Sequence, residues 1–251
     1  MDKGTLWSAL NEQLALDLGC DRGLLDLPDN IVVEWRDKPG RRKYGEDEPF
    51  LEVIVLGGKL IVSANEAILP WCREKLLHRD ARWLFRPGPF RALENVLAEH
   101  GYEIGNFHHY YLPKTPFPMV TPRFLVRWHE GEALERFRGD DRWREALAFS
   151  SHSPDMLAVT AMDRDCHPIG MAACSRDGVR LWQIGVDVLP DYRGLGIASN
   201  LTALLAQELL RRGIVPFYGT AESHILSQNV AISAGFRPAF AYLYAQRAPQ
   251  G

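Results

Sequence analysis

The chain has 251 residues, 46% of them hydrophobic, enough to bury one large core or two modest ones, and two are expected. A formal charge of −3 and an isoelectric point near 6.2 argue against a protein that grips nucleic acid through a strongly basic surface, although a local basic patch is still compatible. Met1 to Ala9 carries an acid and lacks an apolar core, and no run of about 18 apolar residues occurs, so the expectation is a cytoplasmic protein with no membrane partner.

From the start of the chain, Leu6 to Leu18 alternates in a helical manner, and the run Arg41-Arg42-Lys43 reads as a solvated loop. Phe50 to Leu56 and Lys59 to Ser63 flank Gly57-Gly58, which predicts a two-residue hairpin. Helices are expected from about Glu66 to His78 and from Phe90 to His100, the second lined by Leu93, Val96 and Leu97 and stopped by Gly101. This part reads as a small α+β unit. Tyr111 to Pro122, with Pro113, Pro116, Pro118 and Pro122, resists helix and central strand alike and is the expected linker. It divides the chain into residues 1–117 and 118–251.

Beyond it, Phe124 to Trp128 predicts a strand, and Glu132 to Phe149 two short helical pieces broken at Gly139. Met156 to Ala161, Pro168 to Cys174 and Leu181 to Val188 form a strand series separated by Asp163-Arg164-Asp165 and Arg176-Asp177-Gly178, as an antiparallel meander requires. Cys20, Cys72, Cys166 and Cys174 lack CxxC pairing, so they read as mostly buried thiols; no metal site or disulfide framework is expected.

After the third strand comes Tyr192-Arg193-Gly194-Leu195-Gly196-Ile197-Ala198-Ser199. Two glycines let the backbone turn tightly and approach a ligand closely. The first turn of the next helix offers N–H groups without intrahelical partners at the positive end of its dipole, which suits a pyrophosphate. Leu201, Leu204, Leu205, Leu209 and Leu210 recur at helical spacing, and Gly213 stands where a C-terminal cap belongs. Val215 to Thr220 then reads as a strand, Ile225 to Ala234 as a helix and Phe236 to Ala245 as a last strand.

The spacing Arg193-x-x-Gly196-x-Ala198, after Val186-Asp187-Val188-Leu189-Pro190, resembles the acyl-CoA pyrophosphate loop of the GNAT superfamily of N-acetyltransferases. Neither G-x-G-x-x-G nor a Gly-Lys-Ser/Thr loop is met, so NAD and ATP compete poorly. Glu222 to Phe236 resembles the superfamily's second hallmark, a helix ending in Gly-Phe beside the cofactor. The resemblance covers about residues 123–247. It implies a mixed α/β (α+β) fold preceded by a small α+β domain that is either a degenerate repeat or unrelated.

The resemblance also implies a cofactor site of Val186, Val188, Arg193, Gly194, Leu195, Gly196, Ile197, Ala198 and Ser199, with His224, Ser227 and Asn229 near the pantetheine arm. His224 stands where many members have asparagine; for Asn229 a solvent-facing role is at least as good a reading. The backbone N–H of Val188 is carried over as the donor to the thioester carbonyl. The tyrosine that protonates the leaving thiolate in many members is matched by Ala231, which leaves Tyr218, Tyr242, Tyr244, Ser227 or water. Where some members have a glutamate on the cofactor strand, this chain has Trp182, Gln183 and Ile184. Asp187 and Glu222 are the nearest carboxylates for a general base, each with an alternative reading as a strand-end carboxylate; His152 and His224 are alternatives.

The activity implied is acetyl-CoA-dependent N-acetylation of a primary amine, on a small molecule or peptide, in a ternary complex without metal. A homodimer is compatible with it. A CoA-binding regulatory module is the competing reading, and a protein- or RNA-modifying acetyltransferase a third, with RNA disfavoured by the acidic charge. The cluster His108, His109, Tyr110, Tyr111, Phe117 and Trp128 reads either as an acceptor pocket or as aromatic packing.

Overall fold

A computed structural model describes residues 1–43 and 48–249. In chain order it contains α1 (Lys3–Asp17), β1 (Ile31–Glu34), β2 (Leu51–Leu56), β3 (Lys59–Ala64), α2 (Leu69–Leu76), α3 (Pro87–Ala98), β4 (Tyr102–Pro113), β5 (Leu125–Glu130), β6 (Asp155–Met162), β7 (Pro168–Ser175), β8 (Leu181–Val188), α4 (Ile197–Arg211), β9 (Val215–Ala221), α5 (Ile225–Ser233) and β10 (Phe236–Arg247). Helices and strands are mixed as expected. Among the described residues no helix is long and apolar enough to cross a membrane.

Two compact units result. One comprises Met1–Leu10, Tyr111–Thr220 and His224–Pro238; the other comprises Asn11–Tyr110, Ala221–Ser223 and the chain from Ala239 onward. This division is interleaved rather than a single cut at 117/118. The reason is β10, whose residues Phe240 to Tyr244 pair antiparallel with Leu56 to Glu52 of β2, a long-range pairing that local composition does not display.

The unit built around Asn11–Tyr110 has strand order β1-β3-β2-β10-β4. The β2–β3 hairpin turns at Gly57 and Gly58, both with positive φ (61° and 85°), the geometry of a type I′ turn. Leu69, Cys72 and Leu76 of α2 and Leu93, Val96 and Leu97 of α3 pack with Val53, Leu60 and Val62 of the hairpin into one core. Two strands escaped the sequence reading: β1, only four residues long, and β4, whose end overlaps the expected linker.

The same unit corrects the reading of Arg41-Arg42-Lys43 as a solvated loop. Arg42 is buried, its Nη2 lying 2.6 Å from Oδ2 of Asp17. Its backbone N donates to Oδ1 of Asp17 at 2.9 Å, and Gln13 donates to the same oxygen. A carboxylate at the end of α1 therefore pulls one cation of the run inside.

The other unit has strand order β9-β8-β7-β6-β5, antiparallel from β5 to β8 and parallel between β8 and β9. On one face Leu157, Val159 and Ala161 of β6 join Leu201, Leu205 and Leu209 of α4 and Ala231 of α5. On the other, Ala158, Met171 and Ala173 meet Leu134, Phe137 and Trp143 from two short 3-10 helices, Gly131–Phe137 and Asp141–Trp143. Gly185 permits the close approach there, since a Cβ on it would stand 2.0 Å from the carbonyl oxygen of Glu145.

Candidate active site

Strands β8 and β9 start as partners and then part. Their register runs Leu181↔Val215, Trp182↔Pro216 and Gln183↔Phe217, and ends there although β8 continues to Val188. On the other edge of β8 the pairing with β7 continues to Val188↔Gly170, and the N–H of Leu189 donates to the carbonyl of Ile169 at 3.0 Å. Bonded and non-bonded pairs alternate in an antiparallel ladder, so Val186 and Val188 turn their N–H and C=O groups toward the β9 side. The seam thus exposes backbone donors and acceptors where its two strands diverge. The carbonyl of Val188 accepts from Nε of Arg193 at 3.2 Å.

The chain leaves β8 through one 3-10 turn, Pro190–Tyr192, and reaches α4 by Gly194 (φ 80°) and Gly196 (φ 78°), conformations that disfavour a side chain. A Cβ at Gly194 would find nothing within 4 Å; at Gly196 the nearest atoms are Nη1 of Arg123 and Oγ of Ser199, each at 4.0 Å. The first turn of α4 therefore faces open space. Its opening hydrogen bond, Asn200 N to Gly196 O at 3.1 Å, leaves the N–H groups of Ile197, Ala198 and Ser199 without intrahelical acceptors. Ile197 is buried as an anchor while Leu195 is 60% exposed. This cradle fits a pyrophosphate in shape and charge.

Arg123, absent from the sequence-derived set, is held beside the cradle by two amide side chains of α4. Asn200 accepts from the N–H of Arg123 at 3.0 Å and donates to the carbonyl of Thr121 at 3.0 Å. Gln207 accepts from Val120 N at 2.8 Å and donates back to Val120 O at 3.3 Å. Asn200 is buried on this leucine-rich helix, and an asparagine among those leucines is the signal that could have pointed to the clasp.

On α5, Nδ1 of His224 accepts from the N–H of Ser227 at 3.4 Å, so this histidine serves as the helix N-cap. The Oγ of Ser227 lies 2.9 Å from the hydroxyl of Tyr218. Tyr218 follows Phe217, the last paired residue of β9, and burial pushes its phenol above the usual value, partly offset by the Ser227 hydrogen bond. Asn229 is exposed. Ala231 is fully buried. Tyr242 instead donates to Oε1 of Glu52 at 2.6 Å and Tyr244 stacks on Tyr242, both in the unit around Asn11–Tyr110.

The two candidate carboxylates have structural partners. Oδ2 of Asp187 accepts from the backbone N–H groups of Glu145 and Ala146, both at 2.9 Å. Burial nevertheless raises its carboxyl above the ordinary range, against the pull of those two bonds. Glu222 ion-pairs with His109, and its N–H donates to Phe107 O at 3.0 Å. It belongs with residues 11–110, whereas Asp187 belongs with the β5–β9 unit. His152 is exposed in the loop before β6. Of the aromatic cluster, Tyr110 stacks on Phe240 and Phe117 meets Phe236 edge-on, both packing contacts. Asp163, Asp165 and His167 gather in the β6–β7 turn, where Oδ1 of Asp163 accepts from the N–H groups of the other two.

Residues 120–236 match the model of the acetyltransferase (GNAT) family. Over that stretch the chain is similar to a GNAT acetyltransferase domain. The match opens at the residue that Gln207 clasps and closes on the first residue of β10. Among solved structures, a GCN5-related N-acetyltransferase-like protein from Streptococcus suis is 18% identical, with 94% of this chain and 99% of that one covered and a TM-score of 0.48. A GCN5-related N-acetyltransferase from Sphaerobacter thermophilus is 16% identical over 76% of this chain and 73% of that one, TM-score 0.46. One from Kribbella flavida is 21% identical over 64% and 65%, TM-score 0.44. No curated protein matches the chain.

Proposed function

We propose that the protein is an acyl-CoA-dependent N-acyltransferase, with acetyl-CoA as donor and a primary amine of a small molecule or peptide as acceptor. The observation that carries this reading is the β8–β9 seam, which opens after Gln183↔Phe217 beside the cradle at Gly194–Ser199. Acyl-CoA supplies a thioester when bound, and the amine attacks its carbonyl carbon. The N–H groups of Ile197, Ala198 and Ser199 hold the pyrophosphate, and the backbone edge of Val186 to Val188 pairs with the pantetheine arm. The N–H of Val188 stabilises charge on the carbonyl oxygen, a task for which one fixed donor contributes about 3 kcal/mol in comparable sites. Holding amine and thioester together contributes roughly 7 kcal/mol or more.

The hydroxyl pair Tyr218–Ser227 is the proton source we assign to the departing thiolate, in place of the tyrosine excluded by buried Ala231. Asp187 and Glu222 both have structural duties, so water relays the amine's proton. Those duties also favour a second reading, a CoA-binding regulatory module without turnover. Thiol release from acetyl-CoA across a panel of primary amines separates the two.

The test of the site is calorimetric titration with acetyl-CoA and CoA, repeated on Gly196→Glu, which places bulk and negative charge on the cradle. Saturable binding to the wild type, weakened at least about 100-fold in the folded variant, is expected. Unchanged affinity in that variant removes the site.

A further inference from the structure

The two faces of β8 are built differently. Ile184, Val186 and Val188 pack on the side of the sheet that carries α4, so by alternation Gln183, Gly185 and Asp187 turn to the opposite side. There the segment that follows the 3-10 helix Asp141–Trp143 lies on the sheet, with Ala146 and Leu147 buried against Met171 and Ala173, the β7 partners of Asp187 and Gly185. Glu145 is pinned in this segment through its backbone. Its N–H donates to Asp187 at 2.9 Å, and its carbonyl oxygen stands only 2.0 Å from the place a Cβ of Gly185 would take. The side chain is left 71% exposed. A fixed backbone thus carries a carboxylate at the rim of the seam, on the face away from α4. Burial raises the phenol of Tyr218 most and the Ser227 hydrogen bond lowers it, but the charges of Asp187 and Glu145 both raise it further, so Glu145 is within electrostatic reach of the opening. Other cations of the segment are engaged, Arg138 by Glu135 and Arg142 by Asp140, each at 2.6 Å. The pair of Glu145 with Arg144 is loose, 3.6 Å between two exposed side chains, and such a pair contributes little.

We propose that Glu145 selects the acceptor by binding a second cationic group on it, so that the substrate class is a diamine rather than a monoamine. The proposal rests on the transferase reading above. With the cradle at the start of α4 holding the cofactor, the amine approaches from the opposite face, which Glu145 borders. The reacting nitrogen must be neutral to attack, and a carboxylate beside it would keep its proton on. Glu145 stands at the rim while Tyr218, 4% exposed, lies inside, so the carboxylate is placed for the distal nitrogen, which stays charged. An ammonium held by a carboxylate forms a charge-assisted hydrogen bond, stronger than a neutral one.

Thiol release from acetyl-CoA, measured with diaminobutane and diaminopentane against butylamine and pentylamine, tests it on the wild type, Glu145→Gln and Glu145→Asp. The contacts of Glu145 with Asp187 and Gly185 come from its backbone, so these side-chain changes leave the wall in place. The wild type should prefer each diamine to its monoamine by about tenfold or more in kcat/KM. Glu145→Gln should bring that ratio close to one, chiefly through the KM of the diamine, and Glu145→Asp should keep part of it. A wild type that uses both kinds of amine alike, or a preference that survives in Glu145→Gln, overturns the assignment and leaves the transferase reading standing. An equal loss for diamine and monoamine in Glu145→Gln also overturns it, because the residue then serves the wall and reads no charge. Release with none of these amines or any other overturns the transferase reading and this inference together.

Discussion

The seam between β8 and β9 and the seam between β2 and β3 treat polar groups in opposite ways. Strand β2 pairs along its whole length, Leu51↔Ala64 to Leu56↔Lys59, and takes β10 on its other edge. The polar side chains of these strands are buried with partners from the same unit: on β3, Ser63 donates to Leu18 O at 2.9 Å and Lys59 to Leu25 O at 2.8 Å, and Tyr242 of β10 donates to Glu52 of β2 at 2.6 Å. Strand β8 pairs with β9 for three residues and then parts from it. Burial of polar groups that the chain itself satisfies is structural, whereas backbone groups turned toward an opening are available to a ligand. The two seams make this contrast testable by substitutions that strike one and spare the other.

The largest effect on stability belongs to the unit that holds the closed seam. Asp17→Ala leaves the Arg42 guanidinium buried without its carboxylate, a change that costs about 3–5 kcal/mol. Urea unfolding should show the loss, and a wild-type-like midpoint would mean that Arg42 swings to solvent. Next is Glu52, whose carboxyl burial raises from 4.5 to about 7, against the Tyr242 hydrogen bond. Because the folded value is the higher one, its contribution to stability is complete below about pH 4.5 and is lost as pH rises through 7. Glu52→Gln removes the titration, so the stability difference between wild type and variant should change by about 3 kcal/mol between pH 4.5 and 8. A pH-independent difference refutes the shift. The exposed pair Glu208–Arg211, with Glu208 held at about 2 by hydrogen bonds from Arg211 and Arg212, works in the opposite sense at lower pH.

Much of the open seam was legible because its signals are local. The alternation of Leu181 to Val188, the two glycines and the leucine spacing of α4 each occupy one short window and agree with the structure. What escaped is long-range. Arg42 is buried by Asp17, 25 residues earlier, and Asp187 is engaged by Glu145 and Ala146, more than 40 positions away. Arg123 stands some 70 positions before the glycine motif, directly after the stretch Tyr111 to Pro122 read as a linker. Charge runs and lone carboxylates do not announce their partners, so the strand, the glycine turn and α4 could be read in sequence while the partners of Arg42 and Asp187 could not.

The smaller effects fall on the open seam. Ala231 is fully buried in the core shared by α4 and β6, so Ala231→Tyr should overpack it and cost about 1–3 kcal/mol rather than restore a proton donor. A stable variant with faster thiol release would contradict this. Tyr218→Phe is gentler: it keeps the ring against Phe236 and removes only the hydroxyl that meets Ser227 at 2.9 Å. The stability cost should be about 1 kcal/mol, that of one hydrogen bond. Acetyl-CoA affinity should stay unchanged because the pyrophosphate cradle is untouched. With any amine that supports turnover, thiol release should slow, and the same substitution should matter less for a thioester whose thiol is more acidic and leaves without help. A defect equal for both donors would make Tyr218 a packing residue and extend the logic of the closed seam to the mouth of the open one.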